Sequence, residues 1–138
     1  MNGQLLARWR RWYAEFRAAG VYGRALARFY QRRYAEAALL FERAEELNPD
    51  TDRFHVAHAL RGRCYRALGR DKEALECLSR AYEPYLGQRE ALDSDYSRRE
   101  FVEFLSAFSD VLLRTGQVDR AEEVARQASD ERRRWGIA

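Results

Sequence analysis

The stretch Tyr34-Ala-Glu-Ala-Ala-Leu-Leu-Phe-Glu-Arg-Ala-Glu-Glu-Leu-Asn-Pro49 decides the fold of this chain. Within it, Ala37, Phe41 and Ala44 occupy positions i, i+4 and i+7, which lie on one face of an α-helix. Pro49 marks the end of that helix, because proline cannot continue the hydrogen-bond ladder. Small residues on such a face allow a neighbouring helix to approach closely, so the stretch predicts a helix that packs tightly against others.

The same spacing of small and large residues returns twice farther along the chain. The second and third copies are Ala74, Leu78, Ala81 and Ala121, Ala125, Ala128. Another amphipathic stretch precedes each of these copies, and it ends in a glycine, Gly69 or Gly116. Glycine adopts the left-handed conformation that commonly ends a helix. The recurring unit is therefore helix, tight turn, helix, and such recurrence is typical of a repeat protein.

These residues resemble the tetratricopeptide repeat, a helical hairpin of about 34 residues, over about residues 20–130. The resemblance implies an all-α fold, an α-α superhelix in which three helical hairpins and an N-terminal capping helix form a TPR-like solenoid. It also implies one domain. Its boundaries are a capping helix at 4–18, repeat 1 at 20–50, repeat 2 at 52–84, an inserted loop at 85–95, repeat 3 at 96–130 and a C-terminal helix extension at 131–138.

Several local features depart from the repeat pattern. The first turn, residues 31–33, is two residues shorter than the pattern asks, and Pro84 ends the second repeat two places early. The third repeat follows an insert, which we interpret as a loop with a short helical turn. A capping box from Ser97 to Glu100 predicts where the third repeat begins, with a start nearer Ser94 as the alternative.

The N-terminal segment is both aromatic and basic. Leu5, Trp9, Trp12 and Phe16 form an apolar stripe at helical spacing. Eight arginines and one acid give residues 1–33 a net charge of +7, and the rest of the chain sums to −4 because the total is +3. We interpret the stripe as a capping helix that buries itself on the first repeat. The alternatives are an anionic membrane surface, nucleic acid or a homo-oligomer contact.

The resemblance also implies a function, because the first helix of each tetratricopeptide hairpin faces a concave groove that binds a partner peptide or helix. The candidate partner-binding residues are Arg24, Arg28, Arg32, Arg63, Arg66, Asp110 and Arg114. Arginine binds carboxylates through two parallel hydrogen bonds, so we predict another protein as partner, with an acidic peptide or acidic surface. The alternative is that these arginines form only a solvated face.

Enzymatic activity is not predicted for this chain. It contains no GxSxG nucleophile elbow, no P-loop and no HExxH zinc motif, so we expect no catalytic residue, no cofactor and no small-molecule substrate. His55 and His58 have no third ligand at a useful spacing, and we interpret them as structural histidines rather than metal ligands. Cys64 and Cys77 show no CxxC spacing and are predicted to be buried, reduced thiols.

Localisation is predicted from apolar runs. Arginines interrupt the N-terminal apolar residues, which argues against a secretory signal peptide. No stretch approaches the roughly 18 apolar residues that a membrane-spanning helix needs. We therefore expect a cytoplasmic protein.

Overall fold

The computed structural model describes residues 2–49 and 54–138. These residues contain six α-helices and one short 3-10 turn. They are α1 (Gly3–Tyr30), α2 (Tyr34–Leu47), α3 (Phe54–Ala67), α4 (Asp71–Gly87), the 3-10 turn Arg89–Ala91, α5 (Asp95–Arg114) and α6 (Val118–Trp135). The all-α fold class predicted from the sequence is confirmed, and the arrangement is consistent with an α-α superhelix.

The helices pack in pairs and the pairs stack. The three hairpins are α1 with α2, α3 with α4, and α5 with α6, while α2 packs on α3 and α4 packs on α5. In addition, α3 contacts both α1 and α5. The first helices of successive hairpins therefore lie side by side and share one face of the molecule, which we call the inner face.

The small residues that decided the fold lie in the core. Ala37 and Ala74 are fully buried and Ala121 is nearly so. Gly62 of α3 is packed even more closely, because a Cβ atom at this position would lie 2.6 Å from Cγ of Leu78. Tight nesting of helices on small residues is therefore confirmed for all three hairpins.

One member of the third copy is placed differently. Ala125 is exposed, and Val124 is buried in its place, one residue earlier. The buried stripe of α6 thus runs through Ala121, Val124 and Ala128, at i, i+3 and i+7. This spacing shifts the apolar stripe toward α5, the helix on which α6 packs.

The first turn is not short, so that prediction was wrong. In all three hairpins the turn has a residue with positive φ at the same place: Arg32 (61°), Gly69 (75°) and Gly116 (85°). Each turn also has the two backbone bonds of a Schellman motif, such as Arg33 N–H to the carbonyl of Arg28 at 2.9 Å. Arg32 lies where the other two turns have glycine, so the sequence pattern did not show that the three turns are equivalent.

The second repeat and the insert also have other bounds than predicted. Helix α4 continues through Pro84 to Gly87, and the buried Tyr82 and Tyr85 anchor its last turns in the core. A proline inside a helix removes one backbone hydrogen bond and crowds the carbonyl four residues earlier, and the burial of these tyrosines offsets that cost. The loop predicted at 85–95 is therefore confined to residues 88–94, and Ser94 rather than Ser97 is the N-cap of α5.

The insert is attached to the last helix by ion pairs. Arg134 of α6 donates to both carboxylate oxygens of Glu90, at 3.0 and 2.8 Å. Arg89 donates to the buried Glu131 at 3.3 Å. Helix α6 supplies the cation of one pair and the anion of the other. The two pairs thus hold residues 88–94 against the C-terminal end of the stack.

The predicted capping helix does not exist as a separate element. Helix α1 is continuous from Gly3 to Tyr30, because neither proline nor a turn interrupts residues 18–21. The stripe expected to be buried is open to solvent, with Trp9 at 61% and Phe16 at 65% exposure. It lies about half a turn around the helix from Val21 and the other core residues of the second half of α1, so the helix cannot bury both.

Candidate interaction groove

Arg63 of α3 lies at the centre of the inner face and joins three helices. Its Nη1 atom lies 2.7 Å from Oε2 of Glu100 on α5, and its guanidinium lies 4.8 Å from the ring centroid of Phe29 on α1. Both charged side chains are less than one-fifth exposed. Arg63 therefore fixes the positions of the first helices relative to one another, and little of its charge is presented to an incoming chain.

A second charged group lies on the same face, nearer the ends of α3 and α5. Nε of Arg66 lies 2.7 Å from Oδ2 of Asp110, and Nη2 of Arg114 lies 3.2 Å from the same oxygen. Arg114 also reaches Asp71 of α4 at 3.4 Å. Each guanidinium has five donors, so these pairs occupy only part of the hydrogen-bonding capacity of the two arginines.

Leu113 is an apolar neighbour of this charged group. It is 55% exposed and comes directly after the fully buried Leu112 and before Arg114 in the chain. Asp110 lies three residues before Leu113, and residues at i and i+3 are neighbours on the surface of a helix. We call Arg66, Asp110, Leu113 and Arg114 the inner-face patch; it combines an exposed apolar side chain with partly exposed charges.

The inner-face patch was only partly anticipated from the sequence. Its three charged members were candidate partner-binding residues, whereas Leu113, which the resemblance also places on the groove side of its helix, was not one of them. The signal that could have found it is its offset from the buried stripe: Leu112, Val111 and Phe108 already supply the core contacts of this turn.

The arginines of the first hairpin do not join this patch. Arg28 turns toward α2, where its Nε atom lies 3.2 Å from Oε2 of Glu36. Arg32 occupies the left-handed position of the first turn. Arg24 is exposed on α1, beside a shallow depression that also includes Phe16 and Gly20. The structure therefore brings together Arg63, Arg66, Asp110 and Arg114 on α3 and α5 and leaves Arg24, Arg28 and Arg32 apart from them.

A tyrosine pair connects the first and third hairpins. The hydroxyl groups of Tyr30 on α1 and Tyr96 on α5 hydrogen-bond to each other. Burial raises the pKa of Tyr30, and the bond to Tyr96 and the charge of Glu100 raise it further, so this phenol stays protonated. No sequence pattern predicts this contact, because it depends on how sharply the stack curves.

Outside the inner face, a polar cluster lies between α2, α3 and α4. Nη1 of Arg61 lies 3.1 Å from Oε2 of Glu45, and Nε of Arg61 donates to the thiol of Cys77 at 3.3 Å. Nδ1 of His58 lies 3.7 Å from the same Glu45 oxygen. Burial, together with the positive charges of Arg61 and Arg80, lowers the pKa of His58 to about 4, so the imidazole is neutral at physiological pH.

The chemistry of this cluster is structural. Cys64 and Cys77 are both buried free thiols, and burial raises the pKa of Cys64 to about 12, which leaves the reactive thiolate scarce. Across residues 2–49 and 54–138, no group of three or more His, Cys, Asp or Glu side chains is placed to hold a metal ion. Nor does any described helix combine the length and apolarity needed to span a membrane.

Comparison with protein families gives a match in the second hairpin. The family model described as tetratricopeptide repeat matches residues 56–83, which comprise most of α3 and α4. The match covers the hairpin that carries Gly62, Ala74 and Leu78. A comparison with curated proteins gives no match.

Proposed function

Since this chain is a member of the tetratricopeptide repeat family, we propose that it is a protein–protein interaction module that binds a partner peptide or helix on its inner face. The observation that carries the proposal is the exposure of Leu113 within the charged inner-face patch. A leucine more than half exposed beside partly exposed arginines gives a partner both an apolar anchor point and charged contacts. Arginine is enriched among the interface residues that dominate affinity, and neighbouring contacts that exclude water accompany such residues.

The inner face suits a partner with acidic character next to an apolar side chain. Arg66 and Arg114 are 40% and 46% exposed; both contact Asp110, and Arg114 also contacts Asp71. An incoming carboxylate can use their remaining donors in bidentate geometry. An apolar side chain of the partner would then cover Leu113, which removes apolar surface of both molecules from water.

The mechanism is passive and depends on a groove formed before the partner arrives. The bridge between Arg63 and Glu100 and the bond between Tyr30 and Tyr96 hold α1, α3 and α5 in place. A preorganised surface loses little conformational freedom on binding, so more of the contact energy becomes affinity. The work of the protein is then to present a rigid surface, and no chemical step is required of it.

The test uses two leucines that differ in place but little in exposure. The folded chain serves as bait to isolate the partner, and calorimetry then measures the affinity of that partner for the Leu113→Asp and Leu39→Asp variants. Leu39 is 68% exposed on α2, away from the inner face. We expect the Leu113 variant to lose affinity by about tenfold or more and the Leu39 variant to bind like the parent chain.

Arg63 is a poor choice for this test, because replacing it removes a link between helices as well as a charge. Equal affinities of the Leu113→Asp variant and the parent chain, with both folded by circular dichroism, would refute binding at the inner-face patch. Loss of affinity in the Leu39 variant alone would move the binding surface to α2.

A further inference from the structure

The first half of α1 carries a large apolar surface that the fold leaves uncovered. Its members are Leu5, Leu6, Trp9, Trp12, Tyr13 and Phe16, which are between 43% and 65% exposed. They fall within about a third of the helix circumference, so they form one band rather than scattered side chains. We call them the α1 stripe. Contiguous exposed apolar surface of this kind marks an interaction site.

The aromatic rings of the α1 stripe touch one another along the helix. Trp9 and Trp12 meet edge to face, and Trp12 stacks on Phe16, with ring centroids 5.6 Å apart in both pairs. Arg17 continues the series, with its guanidinium 5.8 Å from the ring centroid of Tyr13. The rings are thus ordered into a continuous surface over about three helical turns.

Basic side chains border this surface on both edges. By helical geometry, Arg10 and Arg17 flank one edge of the stripe and Arg8 flanks the other. Residues 3–17 contain four arginines and one acid, a net charge of +3. An apolar face with tryptophan between arginine borders is the arrangement of a helix that lies in the interface of an anionic bilayer.

The surroundings of the stripe favour a flat surface over a groove. Helix α1 has 28 residues and α2 has 14, so about half of α1 extends past its hairpin partner. The stripe points away from the core-facing side of α1 defined by Ala18, Val21, Ala25 and Phe29. A planar surface can therefore reach the stripe along its whole length without meeting the repeats.

Other occupants fit less well. In an antiparallel pair of α1 helices, the two-fold axis places equivalent edges side by side, so the basic edge with Arg10 and Arg17 would lie beside the same basic edge of the second copy. Duplex nucleic acid, whose bases are already stacked, would pair with the arginines but leave the tryptophans and Leu5 in water. A bilayer with anionic headgroups covers the apolar side chains and neutralises both arginine borders at once.

We propose that residues 3–17 of α1 form an interfacial helix that docks the protein on the surface of an anionic lipid bilayer. The apolar stripe enters the boundary between headgroups and acyl chains, and the arginines contact lipid phosphates. The amphipathic indole rings of Trp9 and Trp12 lie at headgroup level, where tryptophan is enriched. The helix lies along the surface, and the repeats stay on its other side.

The experiment uses the full chain with vesicles of phosphatidylcholine alone or mixed with phosphatidylserine. In the Trp135→Phe background, Trp9 and Trp12 are the remaining tryptophans. We expect their emission to shift to the blue, and the protein to float with the vesicles, only when phosphatidylserine is present. Added salt should weaken the binding, because screening reduces the arginine contribution.

Paired variants separate the stripe from general surface effects. Flotation should fall about tenfold or more for Trp9→Ser/Trp12→Ser and for Arg10→Glu/Arg17→Glu. Two controls remove exposed apolar or basic side chains elsewhere: Leu39→Ser/Leu68→Ser and Arg99→Glu/Arg126→Glu. We expect both controls to float like the parent chain. Circular dichroism should be unchanged in these four variants, because every side chain that they replace is exposed.

Three results would overturn the proposal. The first is no flotation with phosphatidylserine vesicles, and the second is flotation that the stripe variants leave intact. The third is sedimentation showing a dimer, or a complex with duplex DNA, that the Trp9→Ser/Trp12→Ser variant abolishes while vesicle binding is weak. None of these results affects the inner-face patch, whose test depends on Leu113.

Discussion

Replacing Gly62 by alanine tests the packing that defines the fold. The new Cβ would lie 2.6 Å from Cγ and 2.7 Å from Cδ2 of Leu78, and 3.2 Å from Cβ of Cys77. Leu78 is fully buried and cannot swing into solvent. Overpacking of this kind costs about 3 kcal/mol, and the better helix propensity of alanine returns about 1 kcal/mol. We therefore expect a net loss of about 2 kcal/mol in the free energy of unfolding.

The assay is urea unfolding followed by circular dichroism, with a thermal melt as a second measure. A loss of this size corresponds to a melting temperature lower by about 8 °C for a chain of this length. Gly23→Ala is the matched control, because Gly23 lies inside α1 and a Cβ there meets no atom within 4 Å. That variant should gain about 0.5–1 kcal/mol from helix propensity alone.

The two glycine substitutions are expected to change the free energy of unfolding in opposite directions. If Gly62→Ala stabilised the protein as Gly23→Ala does, α3 and α4 would not be in close contact at this position. The nesting of helices on small residues, from which the repeat assignment was built, would then be wrong for the hairpin that matches the family most directly.

Three further outcomes are expected. His58 has a pKa of about 4 in the folded protein against an ordinary 6.5, so between these pH values the unfolded chain binds one proton more than the folded chain. The free energy of unfolding should therefore fall by up to about 3 kcal/mol as the pH drops through this range. Urea midpoints of the parent and of His58→Gln at several pH values check this, and an unchanged pH profile in the variant would contradict it. Arg32→Gly should raise the free energy of unfolding by about 0.5–1 kcal/mol, because glycine adopts the left-handed backbone conformation without strain. Gly116→Ala should lower it by about 1 kcal/mol for the opposite reason. Equal effects of the two substitutions in urea denaturation would argue against equivalent turns. Arg63→Ala should lower the free energy of unfolding by about 2 kcal/mol, because Glu100 is left partly buried without its cation. A double-mutant cycle with Glu100→Ala should give a coupling energy above about 1 kcal/mol. A coupling energy of zero would show that Arg63 does not link the helices.

The local periodicity of the sequence was enough to predict the hairpins. Ala37, Ala74 and Ala121 are buried as expected because their contacts are decided within one helix face and one tight turn. The turn at Arg32 was misread, since the pattern expects glycine where the chain uses a strained arginine. Propensity identifies the favoured residue for a left-handed position but does not reveal a position that tolerates the strain.

The sequence could not say what covers the apolar stripe of α1. Trp9 and Trp12 at helical spacing look the same whether the fold or a separate surface buries them. What decides the matter is the angle between the stripe and the core-facing residues of the same helix. That angle follows only once α1 is known to be continuous through Gly20.

The candidate site was predicted in residue type but not in pairing. Arg63 and Glu100 are 37 positions apart in the chain, and Arg66 and Asp110 are 44 positions apart. Such pairs depend on the register between hairpins, which single-helix patterns do not contain. The arginines expected to be free for a partner are therefore shared with the protein's own carboxylates, and Leu113 becomes the most informative residue of the inner face.

Methyl NMR reports directly whether the partner contacts the inner face. The chain is labelled at leucine methyl groups, the signals of Leu113 and Leu39 are assigned from single substitutions, and the isolated partner is titrated in. Leu113 is 55% exposed on α5 and Leu39 is 68% exposed on α2, so both can report a contact. We expect the Leu113 signals to shift and those of Leu39 to stay in place. Shifts at Leu39 with unmoved Leu113 signals would contradict binding at the inner face.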